Sequence, residues 1–357
     1  MSRFSAFVFM MFAPIVVLML LISPKVGAKE LIKVMDEDHV IEIREIDTNV
    51  SVNKMDSSIS DVRWRLSDIT SEYDSINSSY LSIINMLNYS LEKAKTQVRV
   101  SSDIYENKIL NILGKPIYYK ESINNQLKIF KLEELGYRGF MVKIKLYNPK
   151  SFKVVLADGR VGGFETTSSM AKSSGALLAI NGGGFGKFTS NGKIYTSMVG
   201  ATVVDGKFKK KFVKNHEKIN FVGINSIGEF IGITPNTNKE IENLNPYQGL
   251  SFIPSLIVAS KKTVIPAAWK NTKHPRTIIG KYPNGDILLI VVDGRNNDWS
   301  KGITLERIQE KLLILGVEDA YNLDGGGSTT LYYDGKILNQ PSDGGERNVA
   351  NSFILMP

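Results

Sequence analysis

Residues 322–330 read NLDGGGSTT: three consecutive glycines, Gly325, Gly326 and Gly327, stand between a carboxylate, Asp324, and three hydroxyls, Ser328, Thr329 and Thr330. Glycine packs nothing and loses the most conformational freedom on folding. A run of three therefore marks backbone that must take unusual angles or admit another group at close range. The preceding residues, Ala320, Tyr321, Asn322 and Leu323, have the pattern of a short buried strand, which sets Asp324 at a strand's carboxyl end. A second run, AINGGGF at 179–185, follows another apolar stretch and sets Asn181, with Gly182 and Gly183 behind it, in the equivalent position. Two strand-to-glycine turns predict one shared cleft. Neither is a familiar phosphate loop. Asn181 and Phe188 break the Walker A pattern, and Lys187 stands where a dinucleotide fingerprint needs its third glycine.

Outward from these turns, short apolar or alternating runs at 140–146, 154–156, 177–180, 201–204, 230–233 and 287–292 read as strands, with Asn284-Gly285 as a tight turn into the last. Helices are expected at 168–174 and 304–315, closed by Gly175 and Gly316, the second with Thr304 in the capping position. The fold class is α+β, a strand-rich mixed domain over residues 113–357.

Ahead of this domain the pattern changes twice. Arg3 precedes an apolar run from Phe4 to Ile22, so residues 1–28 read as a signal peptide or a transmembrane anchor. Val26-Gly27-Ala28 suits cleavage, whereas the length of the run favours an anchor. Either places the rest of the chain outside the cytoplasm. Residues 29–112 read as a helical coiled-coil stalk. From Val52, apolar positions alternate steps of three and four through Met55, Ile59, Val62, Leu66, Ile69, Tyr73, Ile76, Tyr80, Ile83 and Leu87. The β-branched residues at the d positions, such as Val62, Ile69, Ile76 and Ile83, suit a trimer or tetramer better than a parallel dimer. A homo-oligomer through residues 49–91 is expected.

Composition narrows the chemistry. With no cysteine and three histidines among 357 residues, thiolate catalysis and disulfides are excluded and zinc is disfavoured. A net charge of +8 is spread along the chain without a nucleic-acid-binding module, so nucleic acid is not an expected partner. His216, in a lysine-rich stretch, is expected to be solvated.

Five segments occur in order: AINGGGF at 179–185, HPRTIIG at 274–280, VVDGR at 291–295, NLDGGGSTT at 322–330 and ERNVANSFIL at 346–355. In these, residues 113–357 resemble the phosphodiester glycosidase family. A chain without cysteine departs from the disulfide-rich vertebrate member, so only the core module carries over. The resemblance implies hydrolysis of a sugar 1-phosphodiester; together with the export reading of the amino terminus, the expected substrate is a phosphate-linked glycan of the cell envelope or outside it. No cofactor is expected, and a divalent cation such as calcium or magnesium is left open.

That reaction expels a phosphate monoester, which calls for cations and backbone donors more than for a strong acid. Its oxocarbenium-like transition state calls for a carboxylate as nucleophile or base. The resemblance points to Asp324, Asp293 and Arg276 as catalytic. It gives Asn181, Gly182, Gly183, Thr277, Arg295, Gly325, Gly326, Gly327, Ser328, Thr329, Arg347 and Asn351 as substrate-binding. His274, in the HPRT segment, and Glu165, outside the five segments, are secondary acid/base candidates. A local reading of Asp293 is a turn residue paired with Arg295. The competing function is a non-catalytic glycan-binding or exopolysaccharide-assembly protein presented on the stalk.

Overall fold

The run ILLIVV at Ile287–Val292 is apolar at every position, which a strand tolerates only where both faces of its sheet are covered. In the computed structural model, which describes residues 52–214 and 217–357, this strand lies near the middle of an eight-stranded sheet. The expected signal or anchor at 1–28, the start of the stalk and His216 lie outside the described residues.

The described residues divide into two units, the first ending at Leu87 and the second running from Asn88 to Pro357. One helix, Val52–Leu113, runs through the boundary unbroken, as the absence of glycine and proline there allows. Within the first unit the expected seam residues Val62, Leu66, Ile69, Tyr73, Ile76, Tyr80, Ile83 and Leu87 are all exposed. Among the described residues no helix is long and apolar enough to cross a membrane.

The second unit begins in the helix's last turns. Ile109 is fully buried, and Glu106 pairs with Lys128 at 2.6 Å and Lys143 at 3.2 Å. Lys143 in turn pairs with buried Asp286. The eight-stranded sheet runs in the order Tyr118–Glu121, Asn125–Glu134, Tyr137–Leu146, Ile287–Val292, Arg276–Lys281, Asp319–Asn322, Ser255–Val258, Lys261–Lys262. A five-stranded sheet follows the order Lys336–Ile337, Leu331–Tyr333, Leu178–Asn181, Asn351–Leu355, Phe152–Leu156. Another five-stranded sheet has the order Phe230–Ile233, Asn220–Asn225, Pro246–Phe252, Thr202–Val204, Lys207–Lys210. The hairpin Phe185–Ser190 and Lys193–Met198 stands apart.

One apolar core joins the three sheets through residues such as Val142, Leu289, Val291, Ile180, Phe353 and Val222. A second core covers the opposite face of the large sheet, where Ile278, Leu288, Ile290 and Val292 meet the helix Leu305–Leu315. Both anticipated helices form with their caps. Thr166 accepts from Ser169 N and Thr304 from Arg307 N, while Gly175 and Gly316 close them in the left-handed region. The domain is strand-rich with a few helices, as the pattern predicts.

Candidate active site

Pairing register brings the glycine turns together. Ile278 lies opposite Asn322, and Arg276 lies opposite Val292. The carboxyl ends of Asp319–Asn322 and Ile287–Val292 therefore lie beside the start of Arg276–Lys281. Leu323 N donates to Thr277 O at 2.8 Å, Asp324 N to Gly182 O at 3.1 Å and Gly326 N to Pro275 O at 2.9 Å. The 324–327 turn is thus stitched between the other glycine run and the HPRT segment.

Asn181 is the bracket under this turn. Its side chain is fully buried; Nδ2 donates to the Asp324 carbonyl at 2.5 Å, and Oδ1 accepts from Thr277 Oγ1 at 2.8 Å and Thr330 N at 3.1 Å. Asn351 does the same for the second turn. Gly182 N donates to its carbonyl at 3.0 Å and Gly183 N to its Oδ1 at 2.8 Å. A Cβ on Gly182 would collide with Asn351 and Leu250, and one on Gly183 with the Ser251 carbonyl, which is why both are glycine.

Asp324 is half-buried, and its carboxyl is pushed up to about 6 by burial. Arg347 pulls it part of the way back, as does the nearby Ser328 hydroxyl, which completes no hydrogen bond of good geometry. The buried Thr329 and Thr330 hydroxyls and Asn351 Nδ2 likewise have no partner among the described residues. Gly326 takes φ +60° with Arg295 packed against it, and Gly327 lies under the Arg347–Asp343 pair. Two partly exposed arginines thus flank the turn that carries Asp324.

Asp293 differs from the expectation of a second carboxylate open to the same cleft. It is sealed from solvent and accepts three N–H bonds: Trp299 Nε1 at 2.8 Å, Asn339 Nδ2 at 3.0 Å and Gln340 N at 3.0 Å. Burial raises its pKa while these donors oppose the rise. Nor does it pair with Arg295, whose nearest carboxylate is Asp343 at 3.8 Å. Asn339 also donates to Thr329 O and accepts from Leu331 N, so Asp293 fixes the chain just beyond the glycines.

Arg276 is likewise turned from the shared cleft. Successive strand residues face opposite sides, so Thr277 meets Asn181 while Arg276 points toward the helix-covered face. Its Nη2 donates to Thr272 O at 2.9 Å and its Nε to Ile303 O at 3.3 Å. Burial brings its pKa down to about 10. His274 is half-buried and paired by backbone with Ile303, and its Nδ1 has no partner. Burial, Arg276 and Arg295 lower its pKa, which favours the neutral ring. Glu165 stands elsewhere: it accepts from Asp158 N at 2.9 Å and Ser169 Oγ at 2.5 Å beside the helix Thr167–Ser174, as a local brace.

An open groove of about 760 Å³ runs beside the turn, with Arg295, Gln340, Ser342 and Glu346 on its wall. Neither Asp293 nor Asp324 lines it. Asp343, Asn339, Gln340 and Trp299 carry much of this geometry without belonging to any motif singled out in the sequence. Among the described residues no group of three or more His, Asp or Glu side chains is placed to hold a metal ion.

The sequence matches the phosphodiester glycosidase family over residues 174–356. An SPbeta prophage-derived protein of Bacillus subtilis is 31% identical over 201 residues, covering 54% of this chain and 29% of that protein. The N-acetylglucosamine-1-phosphodiester alpha-N-acetylglucosaminidase of Bos taurus is 40% identical over 73 residues, 20% of this chain and 14% of the bovine protein. The chain spans under a third of the length of these two relatives. Among solved structures, the zebrafish catalytic domain of that same enzyme, auto-inhibited by its pro-peptide, aligns with a TM-score of 0.53 and 21% identity. The alignment covers 68% of this chain and 86% of the zebrafish one, and it is a likeness of fold.

Proposed function

The chain belongs to the phosphodiester glycosidase family, and on that premise we propose that it hydrolyses the glycosidic bond of a sugar 1-phosphodiester in a cell-envelope or extracellular glycan, working outside the cytoplasm. The observation that carries this reading is Asp324 at the end of a buried strand, on a three-glycine turn against which Arg295 and Arg347 pack.

In this reading the bond between the anomeric carbon and the phosphate oxygen breaks, and the oxygen leaves with the phosphate. Arg295 and Arg347 receive the departing phosphomonoester, whose charge they match without a strong acid. Asp324, ionised above its pKa of about 6, stabilises the oxocarbenium centre by bonding to it or by taking a proton from the attacking water. Asn181, Asn351 and Asp293 are positioning residues that fix the two glycine turns. Arg276 lends positive potential from behind and holds the 272–276 segment.

The outer parts of the chain fit the same reading. Residues 1–28 export or anchor the protein, 29–112 form the stalk and 113–357 the glycosidase domain. The exposed seam from Val62 to Leu87 supports self-association, since an apolar stripe of that length is unfavourable in water. The test is incubation of the purified protein with a panel of sugar 1-phosphodiesters, following free sugar and phosphomonoester. Release by the wild type and none by Asp324→Asn is expected; release of neither product from any diester would end the proposal.

A further inference from the structure

The Arg347 guanidinium grips one oxygen of Asp343, through Nε at 3.1 Å and Nη2 at 2.5 Å, and Arg295 Nη1 stands 3.8 Å from the other. A carboxylate held between two guanidinium groups has the charge and shape of two phosphate oxygens in the same place. The seat lies over Gly327, where a Cβ would meet the side-chain ends of Asp343 and Arg347, and Arg295 is held at φ +61°, a conformation costly for a non-glycine residue. Its occupant is loosely held by comparison. Asp343 lies in an exposed loop between Pro341 and the glycines Gly344, at φ +80°, and Gly345. The pairs it makes are partly exposed, a class worth little in water.

We propose that Asp343 is a specificity-determining residue: its carboxylate fills the anion seat of Arg295 and Arg347, and the phosphate of the substrate enters by displacing it. The inference rests on the glycosidase reading and names the part of the site that takes the phosphate. A phosphodiester carries one negative charge, as Asp343 does, so the exchange leaves the net charge of the seat unchanged. The phosphomonoester product carries more charge, and the returning carboxylate competes with it and helps its release. The same arginines hold Asp343 below the usual carboxylate range, the sign expected of an anion in a cationic seat. An uncharged or cationic ligand has no means of displacing it. The loop therefore selects for anions.

The test is calorimetric titration of the full chain with inorganic phosphate at low ionic strength, using wild type, Asp343→Asn, Arg347→Ala and the double variant. Asp343→Asn is expected to bind phosphate about 1.5- to fivefold more tightly than wild type, the range set by one exposed ion pair. The gain is expected to vanish in the double variant. A residue that merely oriented the arginines would give the opposite sign. Unchanged or weaker binding in Asp343→Asn, a gain that survives loss of Arg347, or no phosphate binding in any variant overturns the proposal. Circular dichroism confirms the fold of each, and Asp343→Ser repeats the measurement should Asp343→Asn misfold. A wild type that binds phosphate in this pattern yet releases no sugar from any diester supports the seat and overturns the reaction.

Discussion

Asn181 holds Asp324 by its backbone and leaves the carboxyl free, with Nδ2 donating to the Asp324 carbonyl at 2.5 Å. The same amide accepts from Thr277 and Thr330, so one buried side chain joins three segments beneath the proposed catalytic group. Asn181→Ala strands these polar groups in the interior. A destabilisation of about 2–4 kcal/mol is expected from losing several buried bonds at once. Urea unfolding followed by tryptophan fluorescence measures it, and a cost below about 1 kcal/mol would show that the bracket is dispensable.

Asp324→Asn separates stability from activity. The folded-state pKa of Asp324, about 6, lies above the unfolded value near 3.9. The stability linked to this group is therefore fully present below about pH 4 and is lost as pH rises through about 6. The variant never bears the buried charge. At pH 7.5 it should be more stable than wild type by about 1–3 kcal/mol, with the difference closing toward pH 4. Thermal melts across that range decide the matter, and a variant less stable than wild type at pH 7.5 contradicts the burial argument.

Turnover follows the same carboxyl with the opposite preference. If the ionised form acts, kcat/KM should fall about tenfold per pH unit below about 6 and stay level above it until another group titrates. A pH–rate profile on one active diester reads this directly. A rate that rises on acidification would instead make Asp324 a proton donor.

The two glycine turns should respond differently to a methyl group. At Gly182 an added Cβ meets the Asn351 carbonyl at 3.0 Å and the Leu250 side chain at 2.5 Å, in a packed interior. At Gly327 the nearest atoms it meets are the ends of Asp343 and Arg347, which are able to swing outward. Gly182→Ala is expected to cost about 2–4 kcal/mol and Gly327→Ala under about 1 kcal/mol, the latter losing phosphate affinity. Equal destabilisation by both would refute the distinction.

The helix gives a prediction of its own. A chain lacking residues 1–28 should sediment as an oligomer, and removal of 49–91 should leave a monomer that keeps Glu106 and Ile109 in place. Monomers in both cases would show that the exposed seam serves something other than self-association.

Much of this arrangement was legible beforehand because glycine marks where a buried strand ends. The two GGG runs locate Asp324 and Asn181, and the caps at Thr304, Gly175 and Gly316 locate the helices. Facing was harder. Arg276 and Thr277 are neighbours in one motif, yet the pleat sends them to opposite sides, and which side is which depends on register with Ile287–Val292 and Asp319–Asn322. The donors to Asp293 were invisible for a related reason. Trp299, Asn339 and Gln340 reach it from loops whose course is set by long-range pairing. Asp343 carries no signal in the sequence, because an exposed acid four residues before a base is ordinary until Gly327 is found beneath them.

The strand Asn351–Leu355 lies inside its sheet, between Leu178–Asn181 and Phe152–Leu156. A chain emerging from synthesis makes both flanking strands well before the one that joins them. Until residues 351–355 arrive, Asn181 sits on an unpaired edge and the glycines at 182 and 183 lack the bonds that Asn351 gives them. The proposed catalytic centre is therefore completed only after the segments that carry Asn181 and Asp324 have been made, by a strand that contributes no catalytic group of its own.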